Sequence, residues 1–478
     1  MLDLIIEGGC VIDGTGAPRR REDVGVAAGR IALMGDLSAE PARARFDARG
    51  RIVAPGFIDA HTHDDRLLLD TPQGAHPKLS QGVTTVITGN CGVSLAPLQT
   101  PFTPPSPLDL LGTDAWRFGS FGDYLDELEQ SGPAVNAACL VGHSTLRVRH
   151  MDSLDRVATA TETRSMGADL AEALAAGAIG MSTGLYYPPA RAASADEVIA
   201  VGGPLTGARG IITMHIRDEA DAIDDALREA LKIGRALGVD TVLSHHKLVG
   251  KANHGRSVET LAMIEQASKH QPVCFDCYPY NASSTMLLPA RVAQSDDVLV
   301  TWSKADASAA GRSLFALARE RGRTPEQLAH ELQPAGAIYF AMSEDDVSRI
   351  LSHPMAMVGS DGLAHDVSPH PRLWGTFPKV LGHYVRERRL FSLEVAVYKM
   401  TGLSARRFGL VNRGLLSTGH HADIVVFDEQ RVADRATFVN PTEVSMGIDA
   451  VFVNGRLACR DGRTVDAHAG RVLRRGAA

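Results

Sequence analysis

The chain has 478 residues, 44% hydrophobic and 22% charged, which is the composition of an ordinary folded protein. Lys and Arg total 49 against 56 Asp and Glu, so the formal charge is -7. No dense basic block could neutralise a phosphate backbone, which excludes nucleic acid as an expected partner. The length exceeds what one hydrophobic core usually organises, so we expect one large domain and one small domain.

The start of the chain argues against export. Asp3 lies within an apolar run that is too short for a signal peptide, and no later run approaches the length of a membrane span. Six cysteines in so long a chain do not form a disulfide framework. We therefore expect a cytoplasmic protein with no membrane partner.

Both ends of the chain predict a small β domain. Short hairpin-like segments alternate with glycine-rich turns near the N-terminus and recur near the C-terminus around the turn Asn454-Gly455. We expect these segments to form a β-sandwich from residues 1–54 and 415–478.

The middle of the chain predicts a parallel α/β barrel over residues 55–414. Amphipathic helical patterns such as Asp218–Leu237 and Ser257–Ser268 separate the apolar runs. We predict eight strands, the number that closes a (β/α)8 TIM-type barrel: Ile52–His61, Val83–Cys91, Ala137–His143, Ile179–Gly184, Ile211–His215, Thr241–His245, Val273–Tyr278 and Met357–Asp361.

Two connections are too long to be plain crossovers. Ser94–Gly122 carries five prolines, and Ser284–Pro354 contains helical patterns of its own. The second connection predicts an inserted subdomain or lid at about residues 285–350.

Two histidines follow the first predicted barrel strand. His61 and His63 are two residues apart, and side chains at this spacing in an extended chain point to the same face. Both imidazoles could therefore reach one metal ion. Two unrelated histidines would fit the spacing alone equally well.

Five of the predicted strands end in residues able to bind a metal. The carboxyl edge of a barrel gathers its catalytic residues, so six such side chains would converge in one pocket: His61, His63, Cys91, His215, His245 and Asp361. Zinc accepts thiolate, imidazole and carboxylate together, whereas magnesium and calcium favour more oxygen donors. Bound zinc lowers the pKa of its water and polarises a carbonyl, which is suited to the hydrolysis of an amide or ester.

Motifs along essentially the whole chain resemble the amidohydrolase superfamily, and within it the N-acyl-D-amino-acid deacylases or D-aminoacylases. The motifs, in chain order, are PGFIDAHTHDD, GVTTVITGNCG, GAIGMSTGLYYPP, TMHIRDE, SHHK, CYPYNASS, VGSDG, HPRLWGTFPKVLG and RGLLSTGHHADIVVFD. The resemblance implies zinc-dependent hydrolysis of the amide bond of an N-acyl-D-amino acid. Many relatives bridge two metals with a carboxylated lysine, which this group replaces with a cysteine.

The resemblance also implies roles for the six metal-binding candidates. It assigns one tightly bound zinc to Cys91, His215 and His245. A weaker second site would lie beside His61, His63 and Asp361. Asp361 would be the catalytic base that accepts a proton from water and passes it to the departing amine.

Further residues of the same loops would hold the substrate. By resemblance, Lys247, Tyr278 and Arg372 hold the free carboxylate of the acylated amino acid, and Tyr187 and Ser284 line the pocket. The sequence leaves open which amino-acid side chain the substrate carries. An acidic side chain would need a further cation, for which Arg291 is a candidate, and an apolar one would need residues such as Leu287 or Met342. We slightly favour neutral or hydrophobic D-residues.

Two other functions fit parts of the pattern. A hydantoinase-like or dihydroorotase-like cyclic amidase would require a bridging lysine and two tight metals. A catalytically silent barrel with a scaffold role would normally have lost metal ligands, whereas this chain has all six candidates. The expected partner is a small-molecule substrate, and the expected assembly is a monomer or small homo-oligomer.

Overall fold

The computed structural model describes residues 1–70, 74–112 and 115–476. Its centre is a parallel eight-stranded sheet in which each strand pairs with the next along the chain. The strands are β1 (Phe57–Asp59), β2 (Val83–Thr88), β3 (Asn136–Gly142), β4 (Gly180–Gly184), β5 (Ile211–His215), β6 (Asp240–Leu243), β7 (Val273–Cys277) and β8 (Ala356–Val358). The amide of Ala60 donates to the carbonyl of Val358, and Thr62 bridges Gly362, so the ends of β1 and β8 meet and the expected barrel is confirmed.

The predicted first strand is wrong as one element. Ile52–Pro55 pairs with Ile424–Phe427 in a different sheet, and only Phe57–Asp59 joins the barrel. Gly56 lies between the two strands, where a Cβ atom would come within 2.2 Å of the Thr84 side chain. The chain therefore changes sheets at a glycine that passes close to β2.

Several other predicted strands extend too far at their carboxyl ends. Cys91, His245 and Asp361 lie two to three residues beyond the last residues of β2, β6 and β8. These residues belong to the loops that leave the barrel. This is the edge at which barrel enzymes place their reactive groups.

Helices surround the barrel. The predicted helix Asp218–Leu237 begins only at Ile223, because the Asp218 carboxylate accepts from the amides of Ala220 and Ala222 in the preceding turn. The helices outside the insert are Phe121–Ser131, His143–His150, Ala160–Ala176, Pro188–Arg191, Ala195–Gly202, Pro204–Ala208, Ile223–Leu237, Ser257–Ser268, Glu344–Ser352, Arg372–Lys379, Val380–Glu387 (a π-helix), Leu393–Met400 and Gly402–Arg407.

Two further sheets combine the chain ends. The first contains Leu2–Glu7, Asp23–Ala27, Arg30–Gly35 and Ala42–Asp47, and the second contains Cys10–Val11, Arg20–Arg21, Ile52–Pro55, Ile424–Phe427, Ile448–Val453, Arg456–Arg460 and Arg463–Thr464. Ile6, Val26, Ile424 and Phe452 meet in one buried cluster between the two sheets, as expected of a small sandwich. The division at residues 54 and 415 remains a proposal.

The segment after β7 forms its own layer. Three antiparallel strands, Ala282–Met286, Asp297–Ser303 and Ala335–Phe340, pack with the helices Pro289–Val292, Leu314–Arg321 and Pro325–Glu331. The earlier long connection contains the short strands Leu98–Gln99 and Arg117–Phe118. Single turns of 3-10 helix occupy Leu67–Leu69, Leu79–Gln81, Leu108–Leu111, Lys251–Asn253 and Ala307–Ala309. Among the helices of the described ranges, none is both long and apolar enough to span a bilayer.

Candidate metal centre

The structure brings all six predicted metal-binding residues together at the carboxyl edge of the barrel. The Cys91 thiol sulfur lies 3.2 Å from Nε2 of His61 and 3.2 Å from Nε2 of His245. These three residues and Asp361 each offer a ligand atom within 4.8 Å of the others. His63 Nε2 lies 3.2 Å from Asp361 Oδ1, and the His215 ring stands 4.4 Å from that of His245, centroid to centroid. We call these six residues the metal cluster.

Three members of the metal cluster have unusual backbone geometry. Cys91, His245 and Asp361 adopt φ values of 55°, 37° and 51°, in the left-handed region that non-glycine residues rarely occupy. Such conformations cost of order 1–3 kcal/mol each and persist where the surroundings hold them. Each of the three lies just beyond a strand end, where this backbone turn directs its side chain toward the others.

The electrostatics of the cluster favour a thiolate. Burial alone would raise the pKa of Cys91, but the imidazoles of His61 and His245 hold it well below its usual value. A deprotonated cysteine is the form that binds metals. In contrast, burial raises the pKa of Cys139, in the barrel wall, far above its usual value. The two buried cysteines therefore differ in their capacity to act as ligands.

Asp361 also carries its charge. Burial would raise the pKa of this carboxyl group, but the Arg372 guanidinium and His63 hold it well below its usual range. The Arg372 Nη2 atom lies 2.9 Å from Asp361 Oδ2. A carboxylate in this position can hold a cation or accept a proton.

The cluster fits a zinc ion on the chemistry of its donors. His215 is buried, and neither of its ring nitrogens makes a hydrogen bond with the described residues. A buried unpaired imidazole is costly, so a ligand for it is expected. One sulfur and two or more imidazole nitrogens form a typical zinc donor set.

Sequence reasoning missed two carboxylates that support the cluster. Glu219 Oε1 lies 3.1 Å from Nδ1 of His245 and 3.8 Å from Nε2 of His215. Asp276, in β7, accepts from the amide of His245 at 2.9 Å and lies 3.3 Å from Nδ1 of His61. Carboxylates in this position orient metal-binding imidazoles. Two sequence features could have identified them. Glu219 follows His215 by four residues in TMHIRDE, and Asp276 lies near the end of a predicted strand.

Three of the predicted substrate-binding residues lie beside the cluster. The Tyr278 ring packs under the Arg372 guanidinium at 4.6 Å and under the Lys247 ammonium at 5.5 Å. The Tyr278 hydroxyl and the Nε and Nη1 atoms of Arg372 are buried with no hydrogen-bond partner among the described residues. Lys247 is already paired with Glu219. Unsatisfied donors next to buried cations provide an environment suited to a carboxylate.

The other predicted pocket residues divide into two groups. The Tyr187 hydroxyl bonds to Thr285 at 3.2 Å and, with Ser284, lines a cavity that reaches Cys91. Met342 lines a second cavity with Lys247 and Tyr278.

The remaining candidates for recognising the side chain of the substrate lie in different environments. Leu287 packs inside the core of the insert, so it is wrong as a pocket residue. Arg291 is buried, lies 3.5 Å from Glu219, and packs against the rings of Tyr186 and Tyr339.

Known proteins match this chain over most of its length. The amidohydrolase family is matched over residues 45–458. A D-aminoacylase of Alcaligenes xylosoxydans xylosoxydans is 54% identical over 100% of this chain and 98% of its own. An N-acyl-D-aspartate deacylase of the same organism is 53% identical over 99% of this chain and 95% of its own.

A solved structure extends the comparison to the fold. The N-acyl-D-glutamate deacylase of Bordetella bronchiseptica, crystallised with zinc and a phosphonate inhibitor that mimics the tetrahedral intermediate, is 48% identical. It superposes with a TM-score of 0.94 over 99% of both chains. The chain described here therefore belongs to the amidohydrolase family and, within it, to the N-acyl-D-amino-acid deacylases.

Proposed function

We propose that this protein is a zinc-dependent deacylase that hydrolyses the amide bond of N-acyl-D-amino acids and releases a carboxylate and a free D-amino acid. The observation that carries the proposal is the convergence of Cys91, His61, His245 and Asp361 ligand atoms within 4.8 Å, beside buried cations. The relatives supply the preference for the D configuration, which no distance in the site addresses.

Cys91, His215 and His245 would hold one tightly bound zinc, and His61 and His63 with Asp361 outline a weaker second site. Zinc bound there would polarise the amide carbonyl and favour the ionisation of water near neutral pH. Glu219 would orient His245 through its Nδ1 atom, from which it lies 3.1 Å.

Asp361 would move the protons. It is ionised beside Arg372 and His63, so it can accept a proton from the attacking water through Oδ1 or Oδ2. The same carboxyl group would then donate that proton to the amide nitrogen, and the carbon–nitrogen bond breaks with release of the amine. Asp361 is the catalytic residue of this proposal.

The carboxylate of the substrate would bind on the other side of Arg372. The free donors of Arg372 and Tyr278 would satisfy its oxygens, and Lys247 would add a positive charge that Glu219 partly balances. Ser284 and Tyr187 would line the adjoining cavity that reaches Cys91. Two carboxylates, that of Asp361 and that of the substrate, would thus share one guanidinium.

For the substrate side chain we favour neutral or hydrophobic groups. Met342 faces the cavity that contains Lys247 and Tyr278, whereas the charge of Arg291 is shared with Glu219 and two aromatic faces. A D-aminoacylase and an enzyme named for N-acyl-D-aspartate match this chain at 54% and 53% identity, so overall identity does not decide this point.

The main rival is a cyclic amidase with a lysine-bridged pair of metals. That function is disfavoured because Cys91 lies in the cluster and the fourth strand ends in Ser182-Thr183-Gly184, without a lysine. A silent scaffold is disfavoured by the intact set of six side chains and by the unsatisfied donors of Arg372 and Tyr278 beside them.

A hydrolysis screen tests the proposal. The purified protein is assayed with N-acetylated D- and L-amino acids and with a hydantoin, while its zinc content is measured. We expect release of free D-amino acids and about one zinc per chain. Activity confined to L-isomers or to the cyclic amide would contradict the proposal.

We further propose a cytoplasmic location, because all six cysteines of the chain are free and Cys91 must stay reduced to bind metal. The assembly, a monomer or a small homo-oligomer, stays a prediction that sedimentation velocity tests.

A further inference from the structure

A small aliphatic cavity of about 20 Å³ lies against one side of the metal cluster. His63, Cys91 and Asp361 form its inner wall, and Tyr187, Ser284 and Thr285 line part of its side. The rest of the lining is aliphatic and comes mainly from the long connection after β2: Val93, Pro107, Leu110, Leu111 and Leu363. The described lining contains neither Lys nor Arg. We call this space the aliphatic cavity.

A second small cavity, of about 10 Å³, reaches the cluster from His245. Lys247 and Tyr278 line it together with Tyr280 and Met342. An ammonium group for the carboxylate and an apolar wall for the side chain are therefore close together here. The two cavities differ in charge, and both contain members of the metal cluster.

The covalent structure of the proposed substrate decides which part enters which cavity. On the nitrogen side of the amide bond, one carbon carries both the carboxylate and the amino-acid side chain. On the carbonyl side there is only the acyl chain. If the carboxylate binds near Lys247 and Tyr278, the side chain must lie nearby, and the acyl chain extends past the cluster in the other direction.

We infer that the aliphatic cavity binds the acyl chain of the substrate and that Leu110 and Leu111 limit its length. This inference rests on the proposed function and extends it to the acyl group. The ligand class is a short aliphatic acyl chain, because the cavity is small and its walls beyond the cluster are aliphatic.

The local structure gives the cavity a defined depth. Leu110 and Leu111 belong to one turn of 3-10 helix, in which Leu111 is buried and Leu110 is half-buried. The amide of Leu110 donates to the Pro107 carbonyl at 3.1 Å, and the Trp116 indole donates to the Gly112 carbonyl at 2.8 Å. A braced turn places the leucine side chains as a fixed wall, and such walls discriminate between chains that differ by single methylene groups.

Acyl-length series on enzyme variants test the inference. The zinc-loaded full-length protein and its Leu110→Ala and Leu110→Phe variants are assayed with N-formyl-, N-acetyl-, N-butanoyl- and N-hexanoyl-D-leucine. For Leu110→Ala we expect the ratio of kcat/KM for the hexanoyl over the acetyl substrate to rise by about 10-fold or more, and for Leu110→Phe we expect it to fall. With N-acetyl-D-alanine, -leucine and -phenylalanine, both variants should keep the wild-type order of preference.

Met342→Ala is the matched control in the second cavity. It should change the preference among the three amino acids and leave the acyl-length ratios unchanged. If either Leu110 variant fails to fold by circular dichroism, Leu111→Val takes its place, with the expectation stated for Leu110→Ala.

The inference is overturned if the Leu110 variants keep the wild-type acyl-length ratios. If they instead change the preference among amino acids, the aliphatic cavity holds the side chain. That result leaves the proposed deacylase function in place, since D-substrates are still hydrolysed. A wild-type protein that hydrolyses none of the D-substrates would overturn the function as well.

Discussion

The Cys91 sulfur lies 3.2 Å from His245 Nε2, and both residues hold left-handed backbone conformations at the ends of non-adjacent strands. The contact spans 154 positions of the sequence. Two independent strained turns thus present a thiolate and an imidazole to the same point. Strain of this kind is retained where function requires a fixed geometry.

Replacing Cys91 with alanine should remove the tightly bound metal. The thiolate is the anionic member of the proposed tight site, and its loss leaves two neutral imidazoles. We expect Cys91→Ala to purify with far less than one zinc per chain and with no measurable deacylase activity. Cys139→Ala, at a buried cysteine of β3, is the matched control and should keep its zinc. A full equivalent of zinc in Cys91→Ala would refute the ligand role.

Replacing Asp361 should separate catalysis from metal binding. Because Asp361 mainly moves protons, Asp361→Ala should lower kcat by at least about 10³-fold while the zinc bound by Cys91, His215 and His245 remains. Steady-state kinetics and elemental analysis of the same preparation measure both quantities. Substantial turnover in this variant would contradict the assignment of Asp361 as the base.

Glu219 should act through the imidazoles that it contacts. Glu219→Gln removes the carboxylate beside His245 and leaves Lys247 without its charge partner, so zinc affinity should fall by about 10- to 100-fold. Chelator competition measures this affinity directly. Glu229→Gln, which affects a partly exposed pair with Arg217, is the control and should retain wild-type affinity. Equal affinities in the two variants would show that Glu219 does not orient the ligands.

The Tyr278 hydroxyl should contribute to substrate binding. Tyr278→Phe keeps the ring that packs against Arg372 and removes only a free donor, so KM for N-acetyl-D-leucine should rise by about 10- to 100-fold. The zinc content should not change. Tyr398→Phe, at a tyrosine whose hydroxyl accepts from Arg406, provides the comparison. An unchanged KM in Tyr278→Phe would remove this residue from the carboxylate site.

A buried ion cluster away from the metal should make the fold sensitive to acid. Burial would raise the pKa of Glu197, but His143 and Arg147 lower it from 4.5 to about 2. A carboxyl group with a depressed folded-state pKa stabilises the fold above its unfolded pKa, and this contribution disappears as the pH falls from about 4.5 to about 2. The contribution is on the order of 3 kcal/mol.

Urea denaturation between pH 3 and 6 measures this effect. The wild-type unfolding free energy should decrease with falling pH more steeply than that of Glu197→Gln, which has no charge to lose. Parallel pH dependences in the two proteins would exclude Glu197 as the source.

Much of the fold could be predicted from local patterns. Apolar runs separated by helical periodicity indicate the eight strands, and the two-residue spacing of His61 and His63, just beyond β1, predicted that both imidazoles could reach one ion. Parallel strands share their carboxyl edge, so the convergence of Cys91, His215 and His245 followed from strand order alone.

Other features depend on tertiary contacts that local sequence patterns do not predict. The split at Gly56 arises because the chain passes close to Thr84, a neighbour in the folded structure only. The positive φ of Cys91 and the pairing of Lys247 with Glu219 are likewise set by tertiary packing. Leu287 was misassigned because hydrophobic character does not distinguish the core of the insert from a pocket wall.

X-ray absorption at the zinc K-edge of the purified, active protein tests the central claim most directly. If Cys91, His215 and His245 hold the metal that supports amide hydrolysis, the spectrum should contain one sulfur at about 2.3 Å together with nitrogen and oxygen ligands. A spectrum with nitrogen and oxygen ligands only would contradict the account.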